Sequence, residues 1–210
     1  MTDYEPEPAE AAVLFADRVD AARNFTRALA DEGEQRGLIG PLELPRLWTR
    51  HILNSAVIAP LFGAGNTVGD VGSGAGLPGI VLAIARPDVD WVLIEPMERR
   101  VMWLNEQVDR LALSNVTVVR ARAEDHHPEP LFDQVTARAV SALRTLIPLT
   151  APLLRPGGEM VLLKGATAPA EIETAAKQIR RFGLRDVRVE VVGEGVITEP
   201  TRVVRAFVGR

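Results

Sequence analysis

The sequence predicts an α/β fold: a mostly parallel β-sheet covered on both faces by helices, with a helical extension ahead of the first strand. Three observations predict it. Short β-branched runs alternate with helical patterns from about residue 67 onward. A glycine-rich turn, Gly72-Ser73-Gly74-Ala75-Gly76, joins the first run to a helix. Two helical patterns fill residues 11–62 before any strand begins.

In order, Val13, Leu14, Phe15, Val19, Ala22, Phe25, Ala28 and Leu29 recur at helical spacing and predict one helix over 11–31. Gly33, Gly37, Gly40 and Pro41 break the chain, and a second helix is expected over 45–62. Strands follow at 67–71, 91–95, 116–120, 132–137 and 159–164, the last after the turn Pro156-Gly157-Gly158. Helices are expected at 78–85, 99–111, from after 137 to about 154, and at 170–182. Two final strands, 187–192 and 202–208, have no long helix between them, which suggests an antiparallel edge hairpin. That ending is unlike a plain dinucleotide-binding domain and points to the methyltransferase variant of the fold. Residues 1–10, with four acids and two prolines, read as a disordered tail, 11–63 as a helical cap and 64–210 as one α/β domain.

The 210 residues are 47% hydrophobic and 25% charged, an ordinary globular balance. With no cysteine, disulfides, thiolate metal sites and cysteine nucleophiles are excluded. His51, His126 and His127 are the only histidines, and no metal site is expected. No apolar stretch approaches the ~20 residues of a membrane helix, and the acidic N-terminus is unlike a signal peptide, so a cytoplasmic chain is expected. The net charge of −4 is concentrated early: residues 1–40 hold nine acids against four arginines. The rest is near neutral and leaves room for a local basic face.

The chemistry gathers at strand ends. Asp70-Val71-Gly72-Ser73-Gly74-Ala75-Gly76-Leu77-Pro78-Gly79 leaves a strand and opens a helix. Such a loop can hold a dinucleotide pyrophosphate or the methionine and ribose parts of S-adenosylmethionine. Glycines at 72, 74 and 76, with Asp70 ahead of them, fit the second ligand better. Glu95 ends the next strand, where an acid can accept ribose hydroxyls from either ligand. After the third strand, Glu124 and Asp125 could receive an adenine amino group. Arg122, Arg138 and Lys164 lie at successive strand ends, a basic set suited to phosphates. Trp48 and Trp103, at helical spacing, suit the core better than base stacking.

The run Trp48-Thr49-Arg50-His51-Ile52-Leu53-Asn54-Ser55, the glycine loop, Glu95-Pro96-Met97-Glu98-Arg99-Arg100, Ala137-Arg138-Ala139 and Leu162-Leu163-Lys164-Gly165 together resemble the rRNA small-subunit methyltransferase G family, also known as the glucose-inhibited division protein B family. The resemblance covers nearly everything from Phe15 onward. It implies a Rossmann-like class I SAM-dependent methyltransferase: a mostly parallel seven-stranded sheet with an N-terminal helical extension. It implies transfer of a methyl group from S-adenosylmethionine to guanine N7 in the decoding-site loop of 16S rRNA. The implied partner is 16S rRNA or the small ribosomal subunit; apart from the resemblance, a monomer is expected. Positions matching Gly72, Leu77, Ala123, Glu124 and Arg138 hold the cofactor in that family. The candidate cofactor set is therefore Asp70, Gly72, Gly74, Gly76, Leu77, Glu95, Ala123, Glu124 and Arg138. The candidate RNA set is Arg50, His51, Arg100, Arg122, Arg138, Arg144 and Lys164. Asn54 stands where the family usually has Asp, and Arg100 where it usually has Lys. Guanine N7 carries a free lone pair, so no general base is required and none is assigned; placement would carry the catalysis. A SAM-dependent methyltransferase acting on a small molecule, favoured by the net acidity, is the alternative, and a nicotinamide-dependent oxidoreductase is the reading from another class.

Overall fold

The structure is a computed structural model that describes residues 4–138 and 141–209. Seven strands among them form one sheet: β1 (Thr67–Val71), β2 (Asp90–Ile94), β3 (Val116–Val119), β4 (Phe132–Arg138), β5 (Leu154–Lys164), β6 (Leu184–Val192) and β7 (Thr201–Val208). Their order is β3-β2-β1-β4-β5-β7-β6. The first five run parallel, and β7 is antiparallel to both β5 and β6. The closing hairpin is present, but β7 is inserted inside the sheet and β6 alone of the two forms an edge, opposite β3. That insertion pairs Lys164 at the end of β5 with Arg202 at the start of β7. The start of β7 therefore lies at the same end of the sheet as the carboxyl ends of β1 to β5, where open α/β sheets bind ligands.

Alternate residues of each strand feed two buried layers. On one face Val68, Leu93, Val161 and Val203 pack with α4 (Gly79–Ala85), α5 (Glu98–Arg110) and the N-terminal helices. On the other, Val135, Met160, Leu162 and Val204 meet α6 (Leu143–Thr150), α7 (Ala168–Thr174) and α8 (Ala176–Arg181). The cap shares the first layer: Phe25, Leu29 and Trp48 are buried with Ile80 and Leu82. Trp48 and Trp103 are both buried, as their helical spacing suggests. None of the described helices is long and apolar enough to cross a membrane.

Several expected elements are drawn differently. The first helix is broken into α1 (Glu10–Phe15) and α2 (Val19–Glu32) by a tight turn at Ala16, whose φ is +47°. The second is no regular α-helix. Pro41–Arg46 winds as 3₁₀, Leu47–Leu53 as π, and only α3 (Asn54–Ala56) is α. Proline at 45 removes an amide donor from the tight segment. β5 begins at Leu154, not Glu159. Phe132 pairs with Leu154 and Gln134 with Glu159, so the Pro156-Gly157-Gly158 stretch is bulged out of a continuous strand. The expected tail is placed from Tyr4 onward. The Glu5 carboxylate accepts the Thr49 amide at 2.9 Å, and Glu7 pairs with Arg23 at 2.7 Å. Acids that would have kept a free segment solvated find donors on the cap instead.

Candidate functional site

The glycine loop is built to expose backbone. Gly72, Gly74 and Gly76 hold φ of +73°, +56° and +94°, a region costly for any side chain. The Gly72 amide donates to Ile94 O at 2.9 Å, pinning the loop to the end of β2. Beneath it the Trp103 indole N–H donates to Ala75 O at 3.0 Å. From the side, Glu95 accepts the Gly74 amide at Oε2 and the Met97 amide at Oε1, both at 2.9 Å, while only 2% exposed. These contacts preorganise one wall of a cavity of about 540 Å³ lined by Gly72, Gly74, Leu77, Glu95, Met97 and Arg100, among others.

That cavity suits S-adenosylmethionine. Its size lies within the range of cofactor pockets. A Cβ at Gly74 would meet nothing closer than 3.7 Å, so its bare face opens onto free space. Each Glu95 oxygen has accepted one amide and retains a lone pair that could accept a further donor, such as a ribose hydroxyl. The Arg100 guanidinium stands 4.0 Å from Glu95, and its Nε is buried with no hydrogen-bond partner among the described residues.

Asp70 requires a correction. Read as a ligand-facing acid, it is fully buried beneath the loop and does not line the cavity. Its Oδ2 accepts the Gly79 amide at 3.1 Å and braces the start of α4. Burial pushes its carboxyl up to about 7, opposed by Ser73 and the Gly79 amide and reinforced by the Glu95 charge. Gly76 also faces inward: a Cβ there would lie 2.7 Å from Ile80 and 3.2 Å from the Phe25 ring. Ala123 and Glu124 sit in the tight turn Ala123–Asp125 after β3, outside the cavity lining.

A second cavity, of about 680 Å³, adjoins the first, and Glu43, His51 and Arg138 line both. These three form a hydrogen-bonded ridge between the two spaces. Arg138 Nη2 donates to His51 Nδ1 at 2.7 Å, so Nδ1 is an acceptor and the ring proton is on Nε2. That N–H donates to Glu43 Oε2 at 2.6 Å. Arg138 also donates to His51 O, Ser55 Oγ and Arg50 O at 2.9–3.0 Å. The π-wound segment thus turns two of its carbonyls toward the end of β4, and π turns are frequent at functional sites.

The expected basic set is consequently divided. Arg138 spends its terminal N–H groups on the cap and has none left for a phosphate. Lys164 is held by Glu171 at 2.7 Å and Ser141 O at 2.8 Å, with 10% of its side chain exposed. Arg50, Arg122 and Arg144 are exposed, and of these only Arg50 lines the second cavity. Ala139 of the expected Ala137-Arg138-Ala139 turn lies outside the described residues. Glu43, Glu199 and Arg202 belong to the sequence's unread part. A signal for the last two existed, since a strand entering antiparallel beside β5 starts at the ligand end. Asn54 ties the same wall together. Its amide donates to Glu199 O at 2.9 Å, and its Oδ1 accepts the Thr201 hydroxyl. An Asp there could make only the second contact.

Burial lowers His51 to about 4, helped by the Arg138 charge and opposed by Glu43. An unfolded histidine titrates near ~6.5. Between those values the unfolded chain binds more protons, so this contribution is full above about 6.5 and is lost as pH falls toward 4. The stability deficit of His51→Gln relative to the parent will therefore widen from acid to neutral pH in thermal unfolding. A deficit independent of pH would sink the assignment of a neutral His51.

Comparison with known proteins agrees with this architecture. Residues 18–199 match the sequence profile of the family described as rRNA small subunit methyltransferase G. A relative from Leifsonia xyli subsp. xyli named ribosomal RNA small subunit methyltransferase G is 68% identical, over 99% of this chain and 100% of its own. One of the same name from Clavibacter michiganensis subsp. michiganensis is 63% identical, over 97% and 96%. Among solved structures, M. jannaschii TYW2 in complex with AdoMet superposes with a TM-score of 0.59 at 20% identity, covering 76% of each chain. A SAM-dependent O-methyltransferase from Thermotoga maritima gives 0.58 at 16% identity, covering 75% of this chain and 65% of its own. At such identities these two speak for the fold alone, the Rossmann-like class I methyltransferase architecture, to which this chain adds its N-terminal helices. The profile match and the two close relatives decide the family, and the chain belongs to the rRNA small subunit methyltransferase G family.

Proposed function

We propose that this chain transfers a methyl group from S-adenosylmethionine to N7 of a guanine in the decoding-site loop of 16S rRNA. The observation that carries the reading, in a chain of this family, is the pair of cavities back to back across Glu43, His51 and Arg138. The glycine-loop cavity is the donor site, where the cofactor supplies an electrophilic methyl on a positively charged sulfur. Glu95 offers lone pairs to the ribose, and Gly72 and Gly74 let the ligand approach the backbone. The second cavity is the acceptor site. Guanine N7 has its lone pair available at neutral pH, so the chain has to align two partners rather than remove a proton. The neutral, internally bonded His51 is consistent with this division, because both of its ring nitrogens are spent on holding the ridge.

Phosphate contact falls to Arg50 and Arg202, the exposed guanidiniums that line the acceptor cavity. Arg122 and Arg144, exposed outside the lining of both cavities, are the further RNA contacts of this reading. One chain carries both cavities, which supports action as a monomer, and a small-subunit substrate is one met in the cytoplasm.

The test uses small subunits lacking the N7 mark, labelled S-adenosylmethionine and mass-spectrometric mapping of the modified nucleotide. One methylated guanine is expected. Arg50→Ala and Arg202→Ala should each weaken RNA binding and flatten its salt slope by about 1, with cofactor binding unchanged. Bound cofactor with no label in any form of ribosomal RNA would refute the reading and point to a small-molecule acceptor.

A further inference from the structure

Building on the guanine-methylation reading, we propose that the Glu199 carboxylate reads the Watson–Crick edge of the target guanine and so sets the choice of base. The position of the second cavity in the sheet carries the argument. It runs from Arg138 at the end of β4, past Lys164 at the end of β5, to Thr201 and Arg202 at the start of β7. The donor cavity adjoins only its β4 side, across the ridge. A purine that turns N7 toward the donor turns its opposite edge toward β7. Two strand spacings separate β4 from β7, about 10 Å, enough for a purine lying edge to edge. Glu199 stands on that far wall.

The chemistry of the wall fits guanine. Two carboxylates line the cavity. Glu43 is committed to His51 and Arg46. The Glu199 carboxylate has no hydrogen-bond or ion-pair partner among the described residues. Its main chain is nevertheless fixed, because Asn54 holds its carbonyl at 2.9 Å and the neighbouring Thr201 hydroxyl bonds back to Asn54. The nearby Lys164 is already neutralised by Glu171 and does not compete for Glu199. Guanine presents two donors on this edge, N1–H and the N2 amino group, which match the two oxygens of one carboxylate. Adenine presents an unprotonated N1 there, a lone pair against a negative charge. Splayed-out bases are commonly read along this edge, and a site built to take a substrate N–H strongly rejects an analogue without it.

The experiment uses the full chain and small subunits reconstituted with 16S rRNA spliced to carry guanine or inosine, which lacks the N2 amino group, at the target position. The parent chain should prefer guanine by about tenfold in kcat/KM. Glu199→Gln and Glu199→Ala should lower kcat/KM on guanine by about 10- to 100-fold. Their guanine-to-inosine ratio should collapse toward one, with S-adenosylmethionine affinity unchanged. Because Glu199 is exposed, these exchanges leave folding intact, and cofactor binding reports on that directly. Variants that keep the parental ratio, whatever their overall activity, would overturn the role of Glu199 while leaving guanine methylation standing. A parent chain that methylates neither subunit would instead remove the function on which the proposal rests.

Discussion

Arg138→Met will lower stability by about 3–5 kcal/mol, the usual loss when one partner leaves a buried charged cluster, and will abolish methyl transfer. In a domain of this size that corresponds to a fall in melting temperature of roughly 10 °C. Burial and the neighbouring Arg50 pull the guanidinium down to about 10, opposed by Glu43, so it stays charged at neutral pH. It is held by Arg50 O, His51 O, Ser55 Oγ and His51 Nδ1. Methionine fills the volume and serves none of them. Buried acceptors are then left unpaired, which costs more than the original bonds contributed. The second consequence is electrical. With the Arg138 charge gone and Nδ1 free, His51 will titrate well above its parental value of about 4, held up by Glu43. NMR titration of the ring reads this directly. Arg138→Lys restores the charge but not the fork that reaches several acceptors, and rescues neither stability nor transfer. A stable methionine variant with an unmoved His51 titration would remove Arg138 from the centre of the site.

What the sequence disclosed and what it withheld separate along a physical line. The parallel strands were legible because both of their faces are buried, so apolar runs bounded by glycine and proline mark them well. The glycine loop was legible because its positive-φ backbone imposes its own residue type. Partnerships were not. Nothing local distinguishes Lys164, neutralised by Glu171, from Arg202, which has no ion pair among the described residues, because the neutralising carboxylate comes from a different element. Asp70 misled for a related reason. The acid at the end of a central strand can point up at a ligand or down into the sheet, and only packing against Gly79 decides between them. The π-wound segment hid behind ordinary helical spacing. Its distortion is matched by Arg138, 87 residues from His51 in sequence, and windows of local periodicity do not contain such a term.

Gly79→Ala is the sharper test of how the donor site is held. Alanine at a helical position normally stabilises a chain by about 0.5–1 kcal/mol relative to glycine. Here the sign reverses. A Cβ at residue 79 would lie 2.3 Å from Leu93 Cδ2 and 2.5 Å from Asp70 Oδ2. Asp70 and Leu93 are register partners on β1 and β2, so neither can retreat without disturbing the centre of the sheet. The helix must lift instead. Lifting it stretches the Asp70–Gly79 hydrogen bond and drags Leu77 and the loop behind it away from Glu95. Overpacking of this kind costs about 1–3 kcal/mol, and a melting temperature lower by roughly 5 °C is expected. S-adenosylmethionine affinity should fall by about tenfold as the cavity wall shifts, since placement of preorganised groups dominates such sites. The same exchange at Gly165, outside any helix and where a Cβ meets nothing within 4 Å, adds the methyl without overpacking and should leave stability unchanged or slightly raised. If Gly79→Ala melted with its parent and kept its donor affinity, α4 would be free to slide on the strands. The loop would then owe its position to Glu95 and Trp103 alone.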